Sequence, residues 1–329
     1  MAVEEVDRTW RPTLRNNPLT FWDDGPCPKY PTTRCLGAEI EVGNRTTRAV
    51  AGKLDSAIDK WKAHVHGDCA FELCTAPASG SQWVAQVEEF CMLFKEGAIG
   101  VTPSCGCHVH VDARDLDVPA VERLIHLLIH LEPLLFSMVP IARRTNTFCT
   151  PAAPLLRAWL TRRHLLTAEP WLLECIYGRD TDARILYTAP GALARLKKDK
   201  LKHRGQITRF LAFNFMPYFG HGTIECRLLD GCVNPVRLIN WGVMLASLFD
   251  YARDCHVKDV HDLIKQPRLK VLLSISPSLA HKRWIVQTLK AFSPLVEPST
   301  ATPEYIHARR AGQRSARIYK ARVAAGVGV

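Results

Sequence analysis

The chain alternates short segments of period-two hydrophobicity with longer segments of helical periodicity. Strand-like patterns cover residues 34–42, 71–75, 107–112, 209–215 and 222–229, and helical patterns cover 46–63, 81–95, 119–139 and 235–253. The strand segments alternate polar and apolar residues, whereas central strands of a parallel sheet are apolar on both faces. The pattern therefore predicts an α+β fold, with a largely antiparallel sheet that has one open face for chemistry and helices packed behind it.

Proline and charge divide the chain into three predicted parts. Residues 1–33 are polar and rich in proline, which predicts an irregular lead-in. Residues 34–255 contain the strand and helix patterns and form the predicted catalytic domain. Residues 256–329 are predicted to be a helical C-terminal extension with a basic tail.

The composition is that of a globular protein kept under reducing conditions. Of the 329 residues, 47% are hydrophobic, which is enough for one sizeable core and excludes a structureless chain. No apolar stretch reaches the length of a membrane span, and the N-terminus lacks the apolar core of a signal peptide. We therefore expect a cytoplasmic protein with no membrane partner, in which the twelve cysteines are reduced thiols.

A net charge of +11 favours attraction to polyanions. Much of the excess lies in the C-terminal tail, at Arg309, Arg310, Arg314, Arg317, Lys320 and Arg322. A solvated helix or loose tail is the simpler interpretation of such a run, and contact with nucleic acid is a secondary hypothesis.

Ionisable residues recur on one face of each predicted strand. Residues two apart on a strand share a side, which groups Glu39 with Glu41, His108 with His110 and Asp112, and Glu225 with Arg227 and Thr223; Glu72 lies in a fourth strand. One such strand could be a solvated edge of the sheet. Together, these groups are costly to crowd unless a cation compensates them, so the combination predicts a metal site.

The donor types indicate which metal to expect. The carboxylates of Glu39, Glu41, Glu72 and Glu225 are hard oxygen donors that suit Mg²⁺ or Mn²⁺. The imidazoles of His108 and His110 favour Mn²⁺ or could contact a substrate phosphate. A zinc site built on Cys105, Cys107, His108 and His110 is disfavoured, because four ligands within six residues of an extended strand cannot surround one ion. Cys107 is instead predicted to point into the core.

Several other polar residues are candidates for binding a nucleotide or substrate. Arg227 has the planar group that clamps phosphate oxygens, although it could simply pair with Glu225. Arg143 and Arg144 could bind a nucleotide or a substrate carboxylate, or lie on the surface. Asn214 is equally consistent with a structural hydrogen bond and with a site group. The chain lacks a phosphate-binding Gly-x-x-x-x-Gly-Lys-Ser/Thr loop, so metal and arginines would have to hold any nucleotide.

Four motifs in order resemble the amidoligase family. They are Gly37–Glu41, Glu72–Pro77, Cys105–Asp112 and Gly222–Arg227, and the resemblance extends over about residues 35–253. The catalytic fold of that family is similar to those of glutamine synthetase and glutamate–cysteine ligase, so the resemblance implies a glutamine synthetase-like catalytic fold.

The resemblance implies ATP-dependent joining of a carboxylate to an amine through an acyl phosphate, with Mg²⁺ or Mn²⁺. Carried over to this chain, the metal ligands would be Glu39, Glu41, Glu72, Glu225 and His110, and the catalytic residues would be Arg227 and Glu225. The predicted ATP contacts are His108, His110, Arg143, Arg144 and Asn214. The substrates would be an amino acid, a peptide or a cell-wall fragment.

Two other functions compete with the ligase. His108-Val109-His110 also resembles the strand motif of metal-dependent amidohydrolases, although the later histidines do not lie at the strand ends of the barrel that such enzymes form. A nucleic-acid-binding protein is the third hypothesis, and it rests on the basic tail alone.

Overall fold

The strands of the structure form one antiparallel sheet in the order β2-β3-β1-β4-β6-β5. The computed structural model describes residues 33–43, 60–66, 69–96, 101–102, 105–163, 172, 175, 210–293, 317 and 321. Within them the strands are β1 Leu36–Gly43, β2 Lys60–His66, β3 Cys69–Cys74, β4 Gly106–Asp112, β5 Phe213–Asn214 and β6 Thr223–Asp230. The predicted antiparallel α+β architecture is confirmed.

Four of the five predicted strands occur at nearly the predicted positions, as β1, β3, β4 and β6. Their signal was the alternation of polar and apolar residues, which matches a sheet with one buried face. The prediction over 209–215 was too long, because the strand there covers only Phe213–Asn214 and residue 209 lies outside the described part.

The helix predicted over 46–63 is wrong at its end, where β2 begins at Lys60. Residues 46–59 lie outside the described part of the chain. The sequence Lys-Trp-Lys-Ala-His-Val-His alternates strictly between polar and apolar residues, and this period-two pattern is the strand signal that the helical reading overlooked. Pairing with β3 then fixes the segment at one edge of the sheet.

The described residues also contain nine helices. They are α1 Gly80–Glu96, α2 Val118–Ser137, α3 Ile141–Arg144, α4 Ala153–Leu160, α5 Tyr218–His221, α6 Pro235–Asp254, α7 Val257–Leu263, α8 Arg268–Ile275 and α9 Leu279–Phe292. The predicted helices at 81–95, 119–139 and 235–253 correspond to α1, α2 and α6. None of these helices combines the length and apolar character that crossing a bilayer requires.

One face of the sheet supplies the core. The inward side chains of β1, β4 and β6 are almost fully buried: Ala38, Ile40, Val42, Cys107, Val109, Val111, Ile224, Cys226 and Leu228. Helix α6 lies against them, flanked by α1 and α2. Gly242 permits the close approach, since a Cβ at this position would lie 2.8 Å from Leu36 Cδ1.

Side chains of α7, α8 and α9 belong to the same hydrophobic core, through Val260, Val271, Leu272, Trp284, Ile285 and Leu289. The boundary at residue 255 and the irregular lead-in both remain predictions. The packed core fixes one face of β1, β4 and β6. The opposite face therefore presents its polar side chains at defined positions.

Candidate functional site

Strand register brings the predicted ionisable residues together on the sheet face opposite the core. Glu39 pairs with His108 across β1 and β4, and Glu41 pairs with Glu72 across β1 and β3. His110 pairs with Glu225 across β4 and β6. Residues that are direct partners in adjacent strands point to the same side of the sheet, so four strands contribute to one cluster.

His108 is the centre of this cluster and is only 2% exposed. Its Nδ1 atom lies 3.3 Å from Glu225 Oε1, 3.5 Å from Glu72 Oε1 and 3.6 Å from Glu39 Oε2. Its Nε2 atom lies 3.8 Å from Glu41 Oε1. Four carboxylates from three strands therefore surround one imidazole.

Two trios of potential metal ligands share His108. One comprises Glu39, His108 and Glu225, and the other comprises Glu41, Glu72 and His108; in each trio the ligand atoms lie within 4.8 Å of one another. Sequence reasoning assigned His110 to the metal, whereas the geometry brings His108 into both trios. His110 lies beside them, with Nε2 3.5 Å from Glu39 Oε1.

The histidine nitrogens support a cation site on physical grounds. Within the described part of the chain, the buried atoms His108 Nδ1, His108 Nε2 and His110 Nε2 have no hydrogen-bond partner. A buried polar atom without a partner is costly, and the distances to the carboxylates exceed those of good hydrogen bonds. A divalent cation would satisfy the lone pairs and offset the crowded negative charge, and the oxygen-rich donor set fits Mg²⁺ or Mn²⁺.

Interactions within the cluster shift the pKa values of its side chains. Burial raises the pKa of Glu39, but interactions with His108 and His110 outweigh it, so that the pKa falls well below its usual range. Burial also raises the pKa of Glu225, and the positive charges of Arg227 and the two histidines reverse the shift. Both carboxylates therefore stay ionised near neutral pH, as metal ligands must.

The pKa of His108 moves in the opposite direction. Burial and the charge of Arg227 lower it, and the carboxylates of Glu39, Glu72 and Glu225 overcome both effects and raise it. Without a cation, the imidazole is thus held towards its charged form by the same oxygens that would accompany it around a metal.

Arg227 lies at one side of the cluster and is fixed at two points. Its Nη1 atom donates to Glu225 Oε1, and its Nε atom donates to the carbonyl of Phe148 over 3.2 Å. Glu225 also accepts from Asn214 Nδ2 at 2.7 Å. The predicted catalytic pair and Asn214 therefore form one connected group, and Asn214 combines a structural hydrogen bond with a place in the site.

The sequence did not reveal the roles of two further polar groups in the site, the Thr223 hydroxyl and the Gly106 N–H. Thr223 Oγ1 lies 3.1 Å from His110 Nδ1, which orients the ring; its position on the polar face of β6 was the available signal. The backbone N–H of Gly106 donates to Glu41 Oε2 at 2.5 Å. A glycine inside a strand often marks a close approach of other groups, and this glycine is such a case.

Arg143 and Arg144 are both buried, and their guanidinium groups bind different parts of the fold. The Arg143 guanidinium donates to the carbonyl of Arg227, so it lies next to the backbone of the candidate catalytic arginine. The Arg144 guanidinium donates to the carbonyls of Val139 and Phe292 and thereby holds the end of α9 against the end of α2. A surface location, the simpler alternative for this pair, is wrong, and their predicted contact with ATP remains a prediction.

The cysteines of the motif lie on the other side of the sheet. Cys105 and Cys107 are fully buried, and burial raises the pKa of the Cys107 thiol. The prediction that Cys107 points into the core is confirmed. A zinc site that combines Cys107 with His108 is disfavoured, because it would need ligands from both faces of one strand.

Fold and site define a mixed α and β protein whose antiparallel sheet carries a buried cluster of carboxylates, histidines and an arginine. A family model described as "Putative amidoligase enzyme" matches residues 50–248, more than half of the chain. The chain therefore belongs to this family, whose name denotes an enzyme of the ligase type. Comparison with curated proteins finds no match.

Proposed function

We propose that the protein is an ATP-dependent carboxylate–amine ligase that forms an amide or peptide bond through an acyl phosphate. The observation that carries this proposal is the cluster itself, in which two carboxylate-containing trios share His108 and Arg227 lies alongside. A site that activates a carboxylate with ATP must hold several negative oxygens close together, which requires concentrated ligands for cations and a fixed guanidinium.

The residues that would hold Mg²⁺ or Mn²⁺ are Glu39, Glu41, Glu72, Glu225 and His108, with His110 beside them. A bound divalent cation would neutralise the charge of the triphosphate and of the transferring phosphoryl group. The glutamine synthetase-like fold and the dependence on ATP belong to this proposal together with the metal.

The chain's own groups supply orientation and charge. Arg227 would contact the transferring phosphoryl group, and its bonds to Glu225 and to the Phe148 carbonyl keep the guanidinium in one orientation. Phosphoryl transfer needs positioned charge rather than a protein nucleophile, and the cluster fits that requirement. The phosphorylated carboxylate would then be attacked by the amine, and phosphate would leave.

A metal-dependent amidohydrolase is less well supported. The His-x-His pair of such enzymes belongs to a barrel of parallel strands, whereas the strand that carries His108 and His110 is antiparallel to both of its neighbours. A hydrolase would also need no nucleotide, so nucleotide dependence separates the two functions.

The experiment that tests the ligase is calorimetric titration of ATP, and then GTP, into the protein with Mn²⁺ or Mg²⁺ and with chelator. We expect metal-dependent ATP binding that is lost in Glu225→Gln. We also expect Mn²⁺ alone to stabilise the wild type against thermal unfolding, by about 2.7 kcal/mol at a hundred times its Kd.

The matched control is Glu122→Gln, which removes a carboxylate that pairs with Arg163 outside the cluster. It should bind metal and ATP like the wild type. Absence of ATP binding under every metal condition would exclude the ligase, and equal binding by a folded Glu225→Gln variant would exclude the proposed site.

A further inference from the structure

The ladder between β4 and β6 is irregular at the level of His108. Cys107 pairs with Leu229 and Val109 pairs with Cys226, so that Arg227 and Leu228 together face the single residue His108. This two-to-one arrangement is a β-bulge, a feature that re-aims a side chain and leaves part of the backbone outside the regular ladder. Arg227, the arginine of the candidate site, is one of the two residues at this bulge.

Arg143 stabilises the backbone at this bulge. Its guanidinium is 1% exposed and donates to the carbonyl of Arg227 through Nη2 and, at 3.2 Å, through Nε. The N–H of Arg227 donates to the Ala212 carbonyl on the other side of the strand. Both backbone groups of Arg227 are thus fixed, one of them by a buried charge supplied by α3.

The same guanidinium packs against Gly106. A Cβ at this position would lie 2.5 Å from Arg143 Nη2, so no side chain fits there unless the guanidinium moves. The N–H of Gly106 is the group that donates to Glu41. Arg143 therefore contacts the backbone at two points beside the cluster, at Arg227 and at Gly106, the residue that binds Glu41.

We infer that Arg143 is a positioning residue that sets the direction of the Arg227 side chain through the Arg227 carbonyl, instead of contacting the nucleotide. It binds the Arg227 backbone at the bulge, and the side chain of Arg227 leaves that backbone towards Glu225. The consequence for phosphoryl transfer rests on the proposed function, whereas the positioning itself can be measured without it.

The primary experiment is nuclear magnetic resonance of the arginine Nε–H groups in wild type and Arg143→Lys. Lysine keeps the charge but cannot donate through two nitrogens of a planar group. We expect the Arg227 Nε–H, which is bound to the Phe148 carbonyl, to shift and to exchange with solvent about tenfold faster as the local structure opens. An unchanged Arg227 resonance in folded Arg143→Lys would overturn the inference.

Arg144→Lys is the matched control, because it makes the same substitution in the neighbouring buried residue whose guanidinium links α2 to α9. It should lower the melting temperature and leave the Arg227 resonance in place. Gly106→Ala retains Arg143 and dislodges its guanidinium, so it should reproduce the change at Arg227. If Arg143→Lys does not fold, Gly106→Ala takes its place as the test. An unchanged Arg227 resonance in folded Gly106→Ala would overturn the inference.

ATP binding then separates positioning from direct contact. We expect Arg143→Lys to weaken metal-dependent ATP binding about tenfold, as loss of an outer-shell partner does, and to add little to Arg227→Lys in the double variant, since the two act through one group. Additive losses, or weakened binding with an unchanged Arg227 resonance, would assign Arg143 to the nucleotide and overturn the inference. If the wild type binds no ATP, the proposed function fails while the resonance experiment still decides the role of Arg143.

Discussion

Asn214 fixes which oxygen of Glu225 faces the cluster. Its Nδ2 atom donates to Glu225 Oε2 at 2.7 Å, and its own Oδ1 accepts from the N–H of Met216 at 3.0 Å. Because a backbone N–H can only donate and an ionised carboxylate can only accept, the amide has one orientation. Glu225 Oε1 is consequently the oxygen that lies 3.3 Å from His108 Nδ1.

We predict that Asn214→Ala weakens Mn²⁺ binding by about tenfold or more, the effect typical of losing a partner that orients a metal ligand. Calorimetric titration of Mn²⁺ measures this directly. Asn240→Ala is a suitable control, because that buried amide donates to the Val236 carbonyl within α6. It should reduce stability and leave the Mn²⁺ affinity unchanged. Wild-type affinity in a folded Asn214→Ala variant would contradict the assignment.

The convergence of Glu39, His108 and Glu225 could be predicted because it depends on local information. Alternation along each strand determines which side chains share a face, and antiparallel pairing then brings those faces together. The sequence could not reveal which histidine is central, since that depends on register between strands distant in the chain.

The predictions that were wrong, the end of the helix over 46–63 and a surface location for the two adjacent arginines, also have physical causes. The segment around Lys60 carries both a helical and a period-two pattern, and pairing with β3 favours the strand, so tertiary context decided it. Arg143 and Arg144 are adjacent in sequence and resemble a surface pair. Once buried, the two guanidinium groups bind different parts of the fold. The role of Arg143 depends on a bulge in β6, a strand far along the chain, and a local sequence pattern contains no information about it.

Glu132 is a buried carboxylate of α2 that caps α4. The carboxylate is 1% exposed and accepts from the N–H of Ala152 at 2.6 Å and of Ala153 at 2.9 Å. These are N–H groups at the start of a helix, which have no partner within the helix and attract negative charge.

We predict that Glu132→Leu lowers the free energy of unfolding by roughly 2–4 kcal/mol, because two buried N–H groups lose their acceptor. Glu132→Gln retains one acceptor oxygen and should lose about half as much. Urea denaturation of the three proteins at neutral pH gives the comparison. Equal stability of Glu132→Leu and wild type would show that removing a buried polar group offsets the lost bonds, and that the cap is not a net stabiliser.

His281 connects α9 to α6 as a neutral imidazole. Its Nε2 atom lies 3.0 Å from the Asn240 carbonyl, which can only accept, so Nε2 carries the proton and Nδ1 accepts from the Ser276 hydroxyl at 2.6 Å. Burial lowers the pKa of His281 to about 4, and the bond to the Asn240 carbonyl raises it only in part. Protonation would place a charge in the core and reverse the hydrogen bond to Ser276.

This shift makes stability depend on pH in a defined window. Above the unfolded pKa of 6.5 neither state binds a proton at His281. Between pH 6.5 and about 4 the unfolded chain binds a proton that the folded chain does not, so stability falls as the pH falls. From pH 7 to pH 5 the loss from this residue should be about 2 kcal/mol. Urea denaturation at both values, for wild type and His281→Gln, measures it: the variant should be less stable at pH 7 but lose about 2 kcal/mol less on acidification. An identical loss in both proteins would mean that His281 does not titrate in this window.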